Sequence, residues 1–171
     1  MSVNRMPSRA VFDSPLGRIA LTWDAAGLRA LDYVSSREAL CPPTPGLGED
    51  AVHQLGQYFQ EPAFVFDLPL APQGTPFQQR VWAALGLIPP GAPLTYGQLA
   101  RQLDSGARAV GGACRHNPLP VIIPCHRVIP AHGGVGGYGG ATRGAGPHIK
   151  QWLLTHEQGL APSTPPDASR P

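Results

Sequence analysis

The chain has 171 residues and a mass of 18.0 kDa, enough for one domain or two small ones with a modest core. With 14% charged residues, 42% hydrophobic residues and a formal net charge of +2, it is not a coiled coil, an acidic solvating chain or a polybasic tail. Glycine and proline supply 21 residues each, which predicts a folded protein rich in loops. No stretch approaches the ~18 to 20 apolar residues that span a bilayer, and Met1 to Arg9 lacks the apolar core of a secretory signal. Cys41, Cys114 and Cys125 show neither C-x-x-C nor zinc-finger spacing, so free thiols in a reducing cytoplasm are expected.

The first half reads as strands and turns. Ala10 to Asp13, Arg18 to Trp23 and Leu28 to Val34 are predicted strands, separated by turns at Ser14-Pro15-Leu16-Gly17 and Asp24 to Gly27. Pro42 to Gly48 is a predicted loop. Glu49 to Gln60 carries Val52, Leu55 and Phe59 at helical spacing, and Phe64 to Leu68 is expected to form one more strand. This half shows no recognisable chemistry and reads as a small α/β support.

Near Gly74 the texture changes. Thr75, Pro76 and Gln78 make a capping box, after which Phe77, Val81, Leu85 and Ile88 form one apolar stripe closed by Pro89-Pro90-Gly91. Thr95 with Gln98 repeats the capping box and opens a short helix through Leu99 and Leu103. After Asp104-Ser105-Gly106 comes a second helix, Ala107 to His116, and the pair suggests a helix-turn-helix. Two adjacent glycines, Gly111 and Gly112, cost this helix roughly 1 kcal/mol each relative to alanine. Tight core packing accounts for that, and so does a surface that something large must approach closely. Arg108 and Arg115 frame the small face, as suits a nucleic-acid groove.

The segment Val121-Ile122-Ile123-Pro124-Cys125-His126-Arg127-Val128-Ile129 sets a polar triplet between two β-branched runs. A lone buried cysteine is usually a small hydrophobe. Beside His126 and Arg127, however, the Cys125 thiol is expected to have a pKa lowered from ~8.5, with His126 as its proton acceptor. Ile149, Trp152, Leu153 and His156 line the apolar face of a last helix, with His156 read as structural. Glu157 follows, either as a solvated helix-end acid or as the carboxylate that orients the His126 imidazole.

Taken in order, Gly74-Thr-Pro-Phe-Gln78, Val81-Trp82, Thr95-Tyr96, Arg108-Ala-Val-Gly111, Asn117-Pro118, Pro124-Cys-His-Arg-Val-Ile129, Gly136-Gly-Tyr138, Gly139-Gly140 and Leu153-Leu154-x-His156-Glu157 resemble the O6-alkylguanine-DNA alkyltransferases (methylated-DNA–protein-cysteine methyltransferases). The resemblance is dense from Gly74 to Leu160. In the first half it rests on Asp13-Ser-Pro-Leu-Gly17 and Gly27-Leu-Arg-Ala-Leu31 alone. It implies an α/β, ribonuclease H-like N-terminal domain of a small sheet plus a helix over residues 1–72. A mainly α, winged-helix-like catalytic domain with the helix-turn-helix is implied over 73–160, and residues 161–171 are expected to be a disordered tail.

The activity so implied is a single-turnover DNA repair. Cys125 takes a methyl or other alkyl group from O6 of guanine (less readily from O4 of thymine) in duplex DNA, which restores the base. The resemblance assigns deprotonation of the thiol, through a bound water, to His126, orientation of that histidine to Glu157, and donation to the departing guanine to Tyr96. Arg108 fills the gap left by the everted nucleotide, and Asn117 braces the turn before the Cys segment. Val135, Tyr138, Gly139 and Gly140 wall the base pocket, while Ala109, Gly112, Ala113, Arg115 and Tyr96 meet the DNA. The implied partner is double-stranded DNA, bound by a monomer in the minor groove with little sequence preference, in the cytoplasm and at the nucleoid when bound. No cofactor is implied, and no metal, because Cys41 and His53 are too few ligands.

Two departures from the family pattern stand out. The turn between Leu103 and Arg108 is shorter, and the stretch from Gly140 to Lys150, with Arg143, is longer and bears on the size of the pocket. Three other readings fit parts of the same chain: a lesion-binding protein that flags alkylguanine without transfer, a Cys-His-Glu hydrolase and a helix-turn-helix regulator.

Overall fold

The alternating apolar residues of the first half close into an antiparallel meander. In the computed structural model, which describes residues 7–140 and 144–160, β1 (Ser8–Ser14), β2 (Gly17–Asp24) and β3 (Gly27–Tyr33) pair in that order. Ile19, Leu21 and Trp23 of β2 are buried as their period-two spacing requires. Helix α1 (Leu47–Gln60) lies against this sheet through Ala51, Leu55 and Tyr58. The contact is close: a Cβ on Gly48 would stand 2.3 Å from Cζ2 of Trp23, so only glycine fits there.

Residues Phe64 to Leu68 do not form the expected strand. The segment runs irregularly between Pro62 and Pro69, and an isolated bridge forms only beyond it, from Leu70 to Leu28. Its alternation buries Phe64, Phe66 and Leu68 partly against the core.

The second half is helical. Both capping boxes form. Thr75 Oγ1 accepts from Gln78 N at 3.2 Å ahead of α2 (Pro76–Leu85), and Thr95 Oγ1 accepts from Gln98 N at 3.1 Å ahead of α3 (Tyr96–Gln102). Helix α2 ends at Leu85, earlier than the apolar stripe suggests, and Ile88 is buried in the turn that follows. The short connection to α4 (Ala107–Arg115) is a Schellman turn: Ser105 N donates to Ala100 O at 2.9 Å, with Asp104 in the left-handed region at φ 52°. Trp82 Nε1 donates to Ala113 O at 2.9 Å and fixes α4 against α2.

Two features bring the site together. A parallel pair, β4 (Leu94–Thr95) with β5 (Val128–Ile129), sets the start of α3 beside the 3₁₀ turn Cys125–Arg127. Helix α5 (Ala145–Glu157) then packs back across that turn. Part of the expected longer loop, Ala145 to Pro147, is the first turn of this helix. Arg143 and residues 161–171 lie outside the described residues. No helix among the described residues is long and apolar enough to cross a membrane.

Candidate active site

Cys125 follows a tightly braced turn. Asn117 Nδ2 donates to Ile123 O at 2.7 Å and its Oδ1 accepts from Leu119 N at 2.9 Å, so one side chain spans the turn between α4 and the thiol. Between them Val121 holds φ 74°, a strained conformation for a β-branched residue that persists because its surroundings impose it. Cys125 is only 6% exposed, yet its side chain borders a cavity of about 120 Å³. Tyr96, Gly111, Cys114, Arg115 and the stretch from Gly137 to Gly140 complete the lining.

Behind the thiol lies a buried polar cluster centred on Glu157. His126 Nε2 donates to its Oε1 at 2.7 Å, and Arg127 donates to both oxygens, from Nη2 at 2.8 Å and from Nε at 3.0 Å. Tyr58 OH donates the carboxylate's fourth bond, the third on Oε1, at 2.8 Å, and Arg127 Nη1 also donates to Ile88 O at 2.6 Å. Burial alone would raise the Glu157 pKa, but the bonds from His126 and Arg127 hold it down at about 2. An ionised carboxylate only accepts, so Nε2 carries the proton and Nδ1 of the neutral ring keeps its lone pair. That Nδ1 is buried and unpartnered among the described residues. Burial also lowers the His126 pKa, with Glu157 opposing the shift, so the ring is neutral near pH 7.

The setting of the thiol differs from the sequence expectation. Its pKa is raised by burial, with the Asn117 amide and the Lys150 ammonium pulling it back. The Arg127 guanidinium is turned to Glu157 and Ile88 O and makes no hydrogen bond to the sulfur among the described residues. The nearby cation is Lys150, whose buried Nζ donates to Val128 O at 2.6 Å, Gly137 O at 3.3 Å and Tyr96 OH at 3.4 Å. His126 makes no direct hydrogen bond to Cys125 among the described residues.

The remaining expected residues divide between the cavity and the surface of α4. Tyr138, Gly139 and Gly140 line the cavity, and Arg115 packs over Gly140, where a Cβ would meet its Cγ at 3.3 Å. Val135 lies outside the lining. Arg108 and Ala109 are exposed on the outer face of α4, and a Cβ on Gly112 would enter open space. Ala113 does not belong to that face; it is 3% exposed, and its backbone carbonyl accepts from Trp82 Nε1. His156 is structural, donating from Nε2 to Tyr58 O at 2.7 Å and stacked on Trp152. Tyr33, Tyr58, Cys114 and Lys150 reach the site without any local signal in the sequence.

Residues 76–159 match the profile described as the 6-O-methylguanine DNA methyltransferase DNA-binding domain, and residues 8–72 match the ribonuclease-like domain of the same family. The chain belongs to the 6-O-methylguanine DNA methyltransferase family. Over 158 residues it is 44% identical to the methylated-DNA–protein-cysteine methyltransferase of Mycobacterium tuberculosis, covering 88% of this chain and 92% of that protein. The enzyme of the same name from Methanosarcina acetivorans is 39% identical over 155 residues, covering 86% and 96%. Among solved structures, M. tuberculosis OGT in complex with DNA superposes with a TM-score of 0.75 at 40% identity, over 91% of this chain and 96% of that one. The thiol at the edge of the cavity, and Glu157, His126 and Arg127 hydrogen-bonded behind it, all lie within the matched segment 76–159.

Proposed function

We propose that this chain repairs O6-alkylguanine in duplex DNA by moving the alkyl group once, irreversibly, to Sγ of Cys125. The observation that carries the reading is the position of that sulfur, at the boundary between a cavity under α4 and the buried Glu157–His126 pair. An O6 substituent inside a stacked duplex cannot be attacked in line by a thiolate, so the nucleotide has to leave the stack at a cost of a few kcal/mol. The outer face of α4 suits that task. Ala109 and Gly112 let the helix backbone approach a minor groove only ~6 Å wide, Arg115 meets phosphate and Arg108 occupies the vacated position. Minor-groove readout is degenerate, so a monomer binds with little regard to sequence.

The cavity receives the base between Tyr138, Gly139 and Gly140 on one side and Tyr96 on the other. The thiol proton passes to Nδ1 of His126 through a solvent molecule, since the two side chains share no direct bond. Glu157 stabilises the imidazolium through Nε2, and the Lys150 ammonium favours the thiolate. The S–C bond forms as the C–O6 bond breaks. Guanine leaves as the anion and is protonated with help from Tyr96, whose phenol is kept neutral by burial with a pKa raised to about 12. The thioether product has no carbonyl for water to attack and no good leaving group, so each molecule acts once. The reaction needs a reduced thiol, which suits a cytoplasmic protein that meets the nucleoid when bound to DNA.

Incubation with an O6-methylguanine duplex followed by intact mass measurement tests this reading. A gain of one methyl per molecule, saturating there and absent in Cys125→Ala, is expected. Binding without mass gain, or repeated turnover, contradicts it.

A further inference from the structure

The wall that carries Tyr138 has little stiffness of its own. Gly133, Gly134, Gly136, Gly139 and Gly140 all adopt positive φ, and such a run keeps most of its conformational freedom unless something fastens it. Lys150 supplies one fastening, at Gly137 O. The other comes from the N-terminal sheet. The hydroxyl of Tyr33, the last residue of β3, lies 3.1 Å from the hydroxyl of Tyr138, with ring centroids 6.4 Å apart and planes inclined at 55°.

The same strand also grips the opposite side of the site, because Leu31 N donates to Pro118 O at 2.8 Å, next to the Asn117 turn that holds Cys125. β3 therefore bridges the thiol segment and the glycine-rich wall. Tyr33 faces a second cavity, of about 210 Å³, that Asn117, Cys125, Tyr138 and the start of α5 also line. Burial keeps both phenols neutral, so one donates while the other accepts.

We propose that Tyr33 is a positioning residue for base capture: its hydroxyl pins Tyr138, so the N-terminal sheet sets the width of the base pocket. The inference deepens the proposed function and rests on it for the transfer readout, but the pinning itself is measurable without any DNA.

The test compares the parent chain with Tyr33→Phe, Tyr138→Phe and the double variant, each of which removes oxygen only and keeps the rings. Amide hydrogen exchange across residues 136–140 is measured first on the free proteins. Single-turnover methyl transfer over a range of O6-methylguanine duplex concentrations follows, together with the rate of iodoacetamide alkylation read on the Cys125 peptide. Tyr33→Phe is expected to speed exchange in that segment and to raise the half-saturating duplex concentration about fivefold, the effect of one ordinary hydrogen bond. The limiting transfer rate and the iodoacetamide rate should stay within about twofold, and the double variant should lose no more than either single one, because both remove the same bond. Unchanged exchange with unchanged half-saturation overturns the proposal. So does a matching fall in iodoacetamide reactivity, which would put the effect on the thiol and not on the wall. If the parent chain takes up no methyl, the functional reading fails, and the exchange comparison still decides whether Tyr33 pins the wall.

Discussion

Replacing Glu157 by glutamine changes one atom and removes one charge, and the structure sets the scale of the result. The carboxylate accepts four hydrogen bonds, from Tyr58, His126 and, twice, Arg127. Its side chain is 1% exposed and that of Arg127 is 8% exposed, so water does not screen the pair. With the glutamine oxygen in the position of Oε1, the amide nitrogen meets Arg127 Nε, donor against donor, and a buried guanidinium loses its counter-charge. Breaking a buried ion pair from one side costs about 3–5 kcal/mol, a large share of the ~5–15 kcal/mol that holds a domain folded. In a chain of this size that corresponds to a fall in Tm of roughly 10 °C. The imidazolium of His126 also loses its anion, so methyl transfer should slow by about 10²- to 10⁴-fold. Urea melts and single-turnover transfer measure the two effects separately. The double variant Glu157→Gln/Arg127→Met removes the stranded charge, so it should regain part of the stability and none of the rate. A stability loss below about 1 kcal/mol, with transfer within threefold of the parent, would refute this account of a buried carboxylate that holds a neutral histidine and an arginine at once.

Other perturbations probe other parts of the site. Gly112→Leu places its side chain in open space on α4, so melting should show a fold at least as stable, by up to about 1 kcal/mol, while titration with duplex DNA shows binding weakened more than tenfold. Tyr58→Phe removes one of the three donors on Glu157 Oε1; its loss should cost about 1 kcal/mol in urea melts and shift the pH profile of transfer upward, because His126 then holds its proton more tightly. Stability should fall on acidification in two stages. His126, whose pKa is lowered in the folded chain, loses ground below its unfolded value of ~6.5, where only the unfolded chain takes up its proton. Glu157 adds a second loss between its unfolded ~4.3 and about 2. Urea midpoints measured from pH 8 to pH 3 test both stages.

The elements that local chemistry specifies were legible before any coordinates. The Thr75/Gln78 and Thr95/Gln98 capping boxes start their helices where the sequence puts them, and the period-two residues of β2 face the core. What escaped depends on contacts far apart in the chain. Glu157 reads equally well as a solvated helix end until α5 crosses the 3₁₀ turn, and Tyr58 reaches it from 99 positions away. Lys150 looks like an ordinary surface lysine, yet its ammonium is buried among carbonyls. Arg127 stands two residues from the thiol in sequence but turns from it, because residues along a 3₁₀ turn point in different directions. Phe64 to Leu68 has the composition of a strand, but its apolar residues pack on the core from an irregular segment and pair with no neighbour among the described residues. Ala113 shares its small size with Ala109 and Gly112, but a helix turns it to the buried side.

The most direct measurement locates the transferred carbon. After reaction with an O6-methylguanine duplex, trypsin separates the peptide 109–115, which holds Cys114, from 116–127, which holds Cys125. Tandem mass spectra should place a single methyl on Cys125 in every molecule that reacted, stable to prolonged incubation, with Cys114 unmodified. A methyl on Cys114, or a Cys125 peptide that stays unmodified while the lesion disappears from the duplex, would contradict the account.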